Sequence, residues 1–196
     1  MEYDPTKEKI IKAAIEVVAE KTISGTRMHL IAEAANMSTA TLHYHFNTKD
    51  DLLKEMLRYL INNFRKTVEE MLSTVSNDLG EKFAHHFDIE KDIIEKDKAI
   101  GRLELDFWTL GQIDPEINGY IQEMLFLWRK DIIEYITYHM PGQDPARVQT
   151  ASEIMVSMMV GALFQFLNAN VSYDINRYFT DCCKMLGLYL SATQWV

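Results

Sequence analysis

The sequence predicts an all-α protein in which a small N-terminal three-helix domain is joined by a long helix to a C-terminal helical domain. Only four prolines and eight glycines occur in 196 residues, and strong helix formers are plentiful. Apolar residues recur every three to four positions through most of the chain, which is the period of an α-helix. With 47% hydrophobic residues, the chain is long enough to bury a sizeable core.

The first helix is predicted to begin at the Asp4-Pro5 pair, since Asp is a good N-cap and Pro suits the first helical position. Ile10, Ala14 and the valines after them form its inner stripe, and the helix should end near Lys21. We expect this helix to pack behind the two that follow it.

Two short helices joined by a tight turn are predicted over residues 26–46. Thr26 is a candidate N-cap for the first helix, and Ser38 is a candidate N-cap for the second, which covers about 39–45. Asn36 lies between them and tolerates the left-handed backbone that turns the chain. The pattern is typical of a helix-turn-helix.

The second short helix would bury Leu42 and Phe46 and leave Thr39, Ala40 and His43 facing outward. A seven-residue helix is too short to be stable alone, so its neighbours must hold it. A short, supported helix with small and polar exposed side chains suits the DNA major groove, which is about 12 Å wide.

Residues 26–49 resemble the DNA-binding domain of the TetR family of bacterial transcriptional regulators. The matching positions, in order, are Ile31, Ala32, Ala35, Leu42, Tyr44, His45, Phe46 and Lys49. The sequence departs from the family pattern at three positions: Asn36 stands where Gly is usual, Ala40 where Gly is common, and His43 where Tyr is most frequent. The resemblance implies a repressor that binds a palindromic operator as a homodimer and is released by a small molecule.

Two sets of DNA-contacting residues are predicted. Contacts with base edges are assigned to the exposed face of the second short helix, namely Thr39, Ala40 and His43. His29 of the first short helix is added, because the family often has an Arg at this position that reaches a base. Phosphate contacts, which fix register without reading sequence, are assigned to Arg27, Thr41, Tyr44 and Lys49.

The remainder of the chain is predicted to form long helices. One runs from Lys49 to about Val75 and could join a DNA-binding domain, residues 4–50, to a sensing and dimerisation domain, residues 51–196. The Asp-Pro pairs at 114–115 and 144–145 each begin a helix, the second of them running to about Asn168, and a final helix follows Asp174.

The C-terminal domain is predicted to hold a ligand pocket and a dimer interface. Aromatic side chains with an acidic group are typical of small-molecule sites, although aromatics at helical spacing are more often core; the candidates are Glu104, Phe107, Trp108, Trp128, Tyr135 and Phe164. The last two helices have more apolar surface than one small domain can cover, so an interface is assigned to Met155, Met158, Ala162, Phe166, Phe179, Cys182 and Leu186.

Composition and motifs bound the other functions. The net charge of −9 weakens non-specific nucleic-acid binding without excluding a site-specific contact. The charged N-terminus lacks a signal segment and no apolar run approaches the roughly 20 residues that span a bilayer, so we expect a cytoplasmic protein. No phosphate-binding loop, nucleophile elbow or metal motif occurs, which predicts no enzyme activity, no cofactor and no metal. The alternative is a helical protein-binding adaptor.

Overall fold

The computed structural model describes residues 4–74, 78–96, 98–168 and 174–192, and within these ranges all regular secondary structure is α-helical. This confirms the predicted fold class. The described helices are α1 (Pro5–Gly25), α2 (Met28–Ala34), α3 (Thr39–His45), α4 (Lys49–Thr74), α5 (Leu79–Lys96), α6 (Lys98–Gly111), α7 (Pro115–His139), α8 (Pro145–Asn168) and α9 (Ile175–Ser191).

Most predicted boundaries are confirmed. Helix α3 covers the predicted residues 39–45, and α7 and α8 begin at the prolines of the two Asp-Pro pairs. Helix α9 follows Asp174, whose carboxylate accepts hydrogen bonds from the amides of Asn176 and Arg177. Helix α4 begins at Lys49 as predicted, whereas Val75, its predicted last residue, lies outside the described residues.

The end of α1 differs from the prediction. Helix α1 continues to Gly25 through a break at Thr22, which has φ 65° and ψ 165°. Both the amide and the hydroxyl of Thr26 donate to the Thr22 carbonyl, at 3.2 and 2.8 Å. Thr26 therefore closes α1 and is not the N-cap of α2. That position belongs to Arg27, which makes no side-chain cap hydrogen bond.

The chain divides into two compact units. The first contains Met1–Lys66 and Lys98–Gln122, and the second contains Thr67–Asp97 and Glu123–Val196. Helices α4 and α7 therefore contribute residues to both units, whereas α6 belongs to the first. The domain boundary predicted at residue 50 does not coincide with a boundary between these units. It concerns the division of DNA binding from ligand sensing, and it stays a prediction.

The first unit is built around α1, which packs against α2 and α6, while α2 packs against α3. Its core is made of aliphatic side chains that are completely buried, namely Ile10, Ile11, Ala14, Ile31, Leu42, Leu52 and Met56. Leu42 anchors α3 in this core, and Phe46, the C-cap residue of α3, is also buried. Because α3 has only seven residues, these two contacts decide its position.

The second unit contains α5, α8 and α9, each of which packs against the other two. Phe87 of α5 stacks on Phe179 of α9, with ring centroids 4.9 Å apart and an interplanar angle of 20°. Met155, Ala162 and Leu163 form the buried side of α8. The apolar terminal helices are thus used first to build the core of their own chain.

Among the described residues, one helical segment, Pro145–Leu167, is long and apolar enough to cross a membrane by length and composition alone. No continuous apolar run of about 20 residues was predicted, and this segment meets a criterion of average hydropathy instead. Only 39% of its most apolar window is buried inside the chain, and core helices also meet the same criteria. The segment is therefore weak support for a membrane span.

Candidate nucleic-acid interface

Helices α2 and α3 are joined by a four-residue turn. Asn36 has φ 51°, which confirms the left-handed turn predicted there. The amide of Met37 reaches back to the carbonyl of Ala32 at 2.9 Å, so the turn satisfies the end of α2. The Ser38 hydroxyl accepts from the amide of Thr41 at 3.0 Å, which confirms the predicted N-cap. Local hydrogen bonds therefore set the geometry of this turn.

Helix α3 presents one buried and one exposed side. Leu42 is 0% exposed, whereas Thr39, Ala40 and His43 are all exposed on the helix surface. Positions 39 and 43 are one turn apart, so their side chains share a face with position 40 beside them. His29, the fourth predicted base-reading residue, is exposed in the first turn of α2.

The ring of His43 is tethered to the chain beyond its own helix. Nδ1 lies 3.2 Å from the carbonyl oxygen of Asn47, four residues further on. The other ring nitrogen, Nε2, is on the opposite edge of the imidazole. A hydrogen bond of this kind orients an exposed side chain that would otherwise sample several rotamers.

Three of the four predicted phosphate-contacting residues are exposed. Tyr44 is 84% exposed, and Thr41 and Arg27 are also on the surface. Arg27 donates from Nη1 to the carbonyls of Ser24 and Thr26, at 2.8 and 3.1 Å, which holds its guanidinium at the junction of α1 and α2.

Lys49 differs from these three because its ammonium turns inward. It donates to the carbonyl oxygens of Ile23 and Thr26, at 2.5 and 3.0 Å. Burial lowers the pKa of Lys49, and the nearby positive charge of Arg27 lowers it further. The ammonium thus holds the end of α1 against the start of α4, and the phosphate contact predicted for Lys49 stays a prediction.

Asp106 of α6 completes this junction through a contact that no sequence pattern predicted. Its Oδ2 accepts the amide hydrogen of Ile23 at 2.8 Å. The Ile23 residue is therefore held at its N–H by α6 and at its carbonyl by α4, directly after the strained Thr22. No local pattern could have revealed the contact, since 83 positions separate the two partners.

The predicted ligand-contacting residues are divided between the two units. In the first unit, Phe107 is buried, and Trp108 donates from Nε1 to Glu104 at 3.3 Å. Burial raises the pKa of Glu104 to about 7, although the hydrogen bond from Trp108 acts in the opposite direction. The second unit contains Trp128, Tyr135 and Phe164.

Tyr135 lies among polar side chains of α5. Its ring is 5.9 Å from that of His86, and the Lys82 ammonium lies 5.5 Å from its centroid. Burial raises the pKa of Tyr135 to about 12 and lowers that of His86 to about 4. Among the described residues, no group of three or more His, Cys, Asp or Glu side chains could hold a metal ion.

Phe164 is 59% exposed within the single chain, and its assignment as a pocket residue stays a prediction. The predicted dimer-interface residues are mostly buried within the single chain, and their assignment also stays a prediction. Their five most buried members are at most 5% exposed within the single chain: Met155, Ala162, Phe179, Cys182 and Leu186. Only Met158 and Phe166 keep part of their surface. A side chain already buried in its own chain has no surface left for a partner.

The turn, the capped α3 and its exposed polar face define a helix-turn-helix DNA-binding protein. Residues 10–56 match the family described as "Bacterial regulatory proteins, tetR family". The helix-turn-helix segment of this chain is therefore of the TetR type, and the match is confined to the N-terminal part.

Relatives with assigned roles are similar over a larger part of the chain. IcaR of Staphylococcus epidermidis, a biofilm operon HTH-type negative transcriptional regulator, is 22% identical over 155 residues, which cover 79% of this chain and 78% of IcaR. BetI of Vibrio campbellii, an HTH-type transcriptional regulator, is 25% identical over 118 residues, or 57% of each chain. Both are described as transcriptional regulators.

Solved structures share the fold. A putative transcriptional regulator from Saccharomonospora viridis in complex with choline has a TM-score of 0.81 at 20% identity, with 92% of this chain and 95% of that chain covered. FadR from Bacillus subtilis in complex with stearoyl-CoA has a TM-score of 0.70 at 21% identity, with 94% and 97% covered.

Proposed function

We propose that this regulator is a repressor that binds a two-fold symmetric operator as a homodimer and is released by a small molecule. The observation that carries the proposal is the exposed face of α3, where Thr39, Ala40 and His43 are presented by a helix anchored through Leu42. The direction of regulation rests on IcaR, which is described as a negative regulator.

On operator DNA, α3 would enter the major groove. Thr39 and His43 would hydrogen-bond to base edges, Ala40 would approach a thymine methyl, and His29 would reach a neighbouring base. Arg27, Thr41 and Tyr44 would contact phosphates.

Lys49 takes a different role in this proposal. Its hydrogen bonds to Ile23 and Thr26 would keep α4 in register with the end of α1, so that α3 meets the groove at the right depth. It is a positioning residue rather than a phosphate contact.

The dimer would form through the exposed surfaces of α8 and α9. Phe164, Met185 and Leu188 are large apolar side chains that are at least 58% exposed. Gly161 and Gly187 lie on the same two helices, and a Cβ added at either would meet no atom within 4 Å. Glycine inside a helix costs about 1 kcal/mol relative to alanine, so a close approach by a second backbone would explain it.

Homodimers of soluble proteins mostly have two-fold symmetry, and two α3 helices related in this way require a roughly palindromic DNA site. The half-sites would lie one helical turn apart, about 34–36 Å, or somewhat more.

Aromatic side chains are the candidates for contacting the effector, with Phe107 and Trp108 in the first unit and Trp128 and Tyr135 as separate candidates in the second. Choline and stearoyl-CoA are bound by two proteins of the same fold, which supports a small-molecule site without naming its occupant here. With its pKa raised to about 7, Glu104 can donate or accept a hydrogen bond near neutral pH.

Release of DNA would be a population shift. A ligand that binds better to a conformation in which the two α3 helices do not fit the operator would release the dimer from DNA. A coupling free energy of about 1–3 kcal/mol between the ligand site and the DNA site is typical. Helix α4, which runs unbroken from Lys49 to Thr74, is the proposed lever. The test of the lever is the distance between spin labels placed at Tyr44 of each protomer. If a ligand that releases DNA leaves this distance unchanged, the proposed lever is wrong.

The test of DNA binding is fluorescence anisotropy of the purified protein with the DNA upstream of its own gene, against a scrambled duplex at two salt concentrations. We expect tight, salt-sensitive and sequence-selective binding with two chains per site. Equal binding to both duplexes would favour the adaptor alternative, unless selection from a genomic pool recovered another operator. We propose that the protein acts in the cytoplasm, without a catalytic role and without a cofactor.

A further inference from the structure

The tether of His43 decides which of its ring nitrogens carries hydrogen. A backbone carbonyl oxygen can only accept a hydrogen bond, so the contact between Nδ1 and the Asn47 oxygen at 3.2 Å requires the proton on Nδ1. In the neutral imidazole the other nitrogen then has a lone pair and no hydrogen. His43 thus presents Nε2 as a hydrogen-bond acceptor.

The other two residues on this face, Thr39 and Ala40, are not restricted to accepting a hydrogen bond. The hydroxyl of Thr39 can rotate to donate or accept, and the methyl of Ala40 does neither. His43 is exposed and lies one helical turn after Thr39. Nε2 is therefore the one group among these three that distinguishes a donor from an acceptor on a base edge.

We propose that His43 is a specificity-determining residue that selects an amino base, adenine or cytosine, at one position of each half-site. Adenine N6 and cytosine N4 both offer hydrogen to an acceptor in the major groove, whereas guanine O6 and thymine O4 offer only lone pairs. A keto base would place two acceptors face to face. The inference rests on the proposed function, because it needs α3 in the major groove.

The size of the effect follows from a single hydrogen bond. A net gain of that kind corresponds to roughly 3- to 10-fold in affinity. The preference should therefore appear as a position where adenine and cytosine are both accepted and guanine and thymine are both depleted. A bidentate contact would instead select one base.

The experiment is selection of binding sites by the purified protein from a random duplex pool at pH 8. The parent should enrich a palindromic motif with adenine or cytosine at one position per half-site. His43→Ala should enrich the same motif with that position relaxed. His43→Arg, which can only donate, should shift the position towards guanine.

Thr39→Ala is the matched control, because it alters the same face and should keep the amino-base preference at the His43 position. Since His43 and Thr39 are both exposed, circular dichroism melting should show that the variants fold. If a palindromic motif is enriched but its amino-base position is absent, or is kept in His43→Ala, this inference is overturned and the proposed function stands. If the parent enriches no motif, both are overturned.

A second measurement does not depend on DNA. Two-bond correlation of the ring protons with ¹⁵N distinguishes the two neutral tautomers of histidine, and the His43→Ala variant assigns the resonances. We expect hydrogen on Nδ1 and a bare Nε2 at pH 8. Hydrogen on Nε2 would overturn the inference whatever motif is selected.

Discussion

The amide of Ile23 donates a hydrogen bond to the carboxylate of Asp106 at 2.8 Å, across 83 positions of the chain. The carbonyl of the same Ile23 accepts from Lys49, the first residue of α4. Two helices therefore hold one residue at the end of α1, immediately before the helix-turn-helix. We expect substitutions at this junction to change DNA binding, although its side chains bond to the backbone of their own chain.

Asp106→Ala should destabilise the protein, because it leaves the part-buried amide of Ile23 without its acceptor. The expected loss is about 1–3 kcal/mol in the free energy of unfolding, with weaker operator binding and an unchanged salt dependence. Urea unfolding and anisotropy measure the two effects. Asp106→Asn keeps an acceptor oxygen and should lose less. Equal urea midpoints for the parent and Asp106→Ala would show that the contact contributes nothing.

Thr22 adopts φ 65° and ψ 165°, a conformation that strains any residue with a Cβ. Thr22→Gly should therefore be more stable than Thr22→Ala by about 1 kcal/mol, because both lose the hydroxyl and only glycine loses the strain. Thermal unfolding of the pair measures the difference. A more stable Thr22→Ala would mean that the backbone is not strained at this residue in solution.

Lys49→Met should weaken operator binding without changing its salt dependence, because the ammonium bonds to two carbonyls of its own chain. It should also lower the free energy of unfolding by about 1–3 kcal/mol. Arg27→Ala is the comparison, since loss of a phosphate contact reduces the salt slope by about one unit. Anisotropy titrations at several salt concentrations separate the two roles. A reduced slope with unchanged stability in Lys49→Met would restore the phosphate contact predicted from the sequence.

Glu104 should make the protein less stable as pH rises. Burial raises its pKa from 4.5 to about 7, so the folded state binds more protons than the unfolded state between these values. Stability is then fully present below pH 4.5 and is lost as pH rises through 7. Relative to Glu104→Gln, the parent should lose about 1–3 kcal/mol of unfolding free energy between pH 4.5 and 8.

Urea unfolding at intervals across this range measures the difference for Glu104. Glu116→Gln is a control of opposite sign, because hydrogen bonds from Lys54 and Tyr120 lower the pKa of Glu116, and its contribution is lost as pH falls. Parallel curves for the parent and Glu104→Gln would contradict the raised pKa.

Leu188→Asp should convert the proposed dimer to monomers, because it places a charge on the exposed apolar surface of α9, where Leu188 is 65% exposed. Ile113→Asp makes the same kind of change at a residue that is 81% exposed in the first unit, and it should remain dimeric. Sedimentation velocity gives both masses. A dimeric Leu188→Asp would exclude this part of α9 from the interface.

Local chemistry made much of the fold predictable. Asp174, Ser38 and the two Asp-Pro pairs begin helices through hydrogen bonds or ring constraints within a few residues, and Asn36 turns the chain through its own backbone preference. These features depend on neighbours in sequence, so the sequence was sufficient to find them and to indicate the TetR resemblance.

The roles of Lys49 and Met155 could not be obtained in this way. A lysine just after α3 can contact a DNA phosphate or the backbone of its own chain, and a methionine on an apolar helix can face a partner or its own core. The choice depends on residues many positions away in the sequence. Helix α8 is apolar on both sides, so its periodicity locates two faces without saying which one the chain covers itself. Caps and turns follow from short-range hydrogen bonds that the sequence encodes directly, whereas burial is a property of the packed chain.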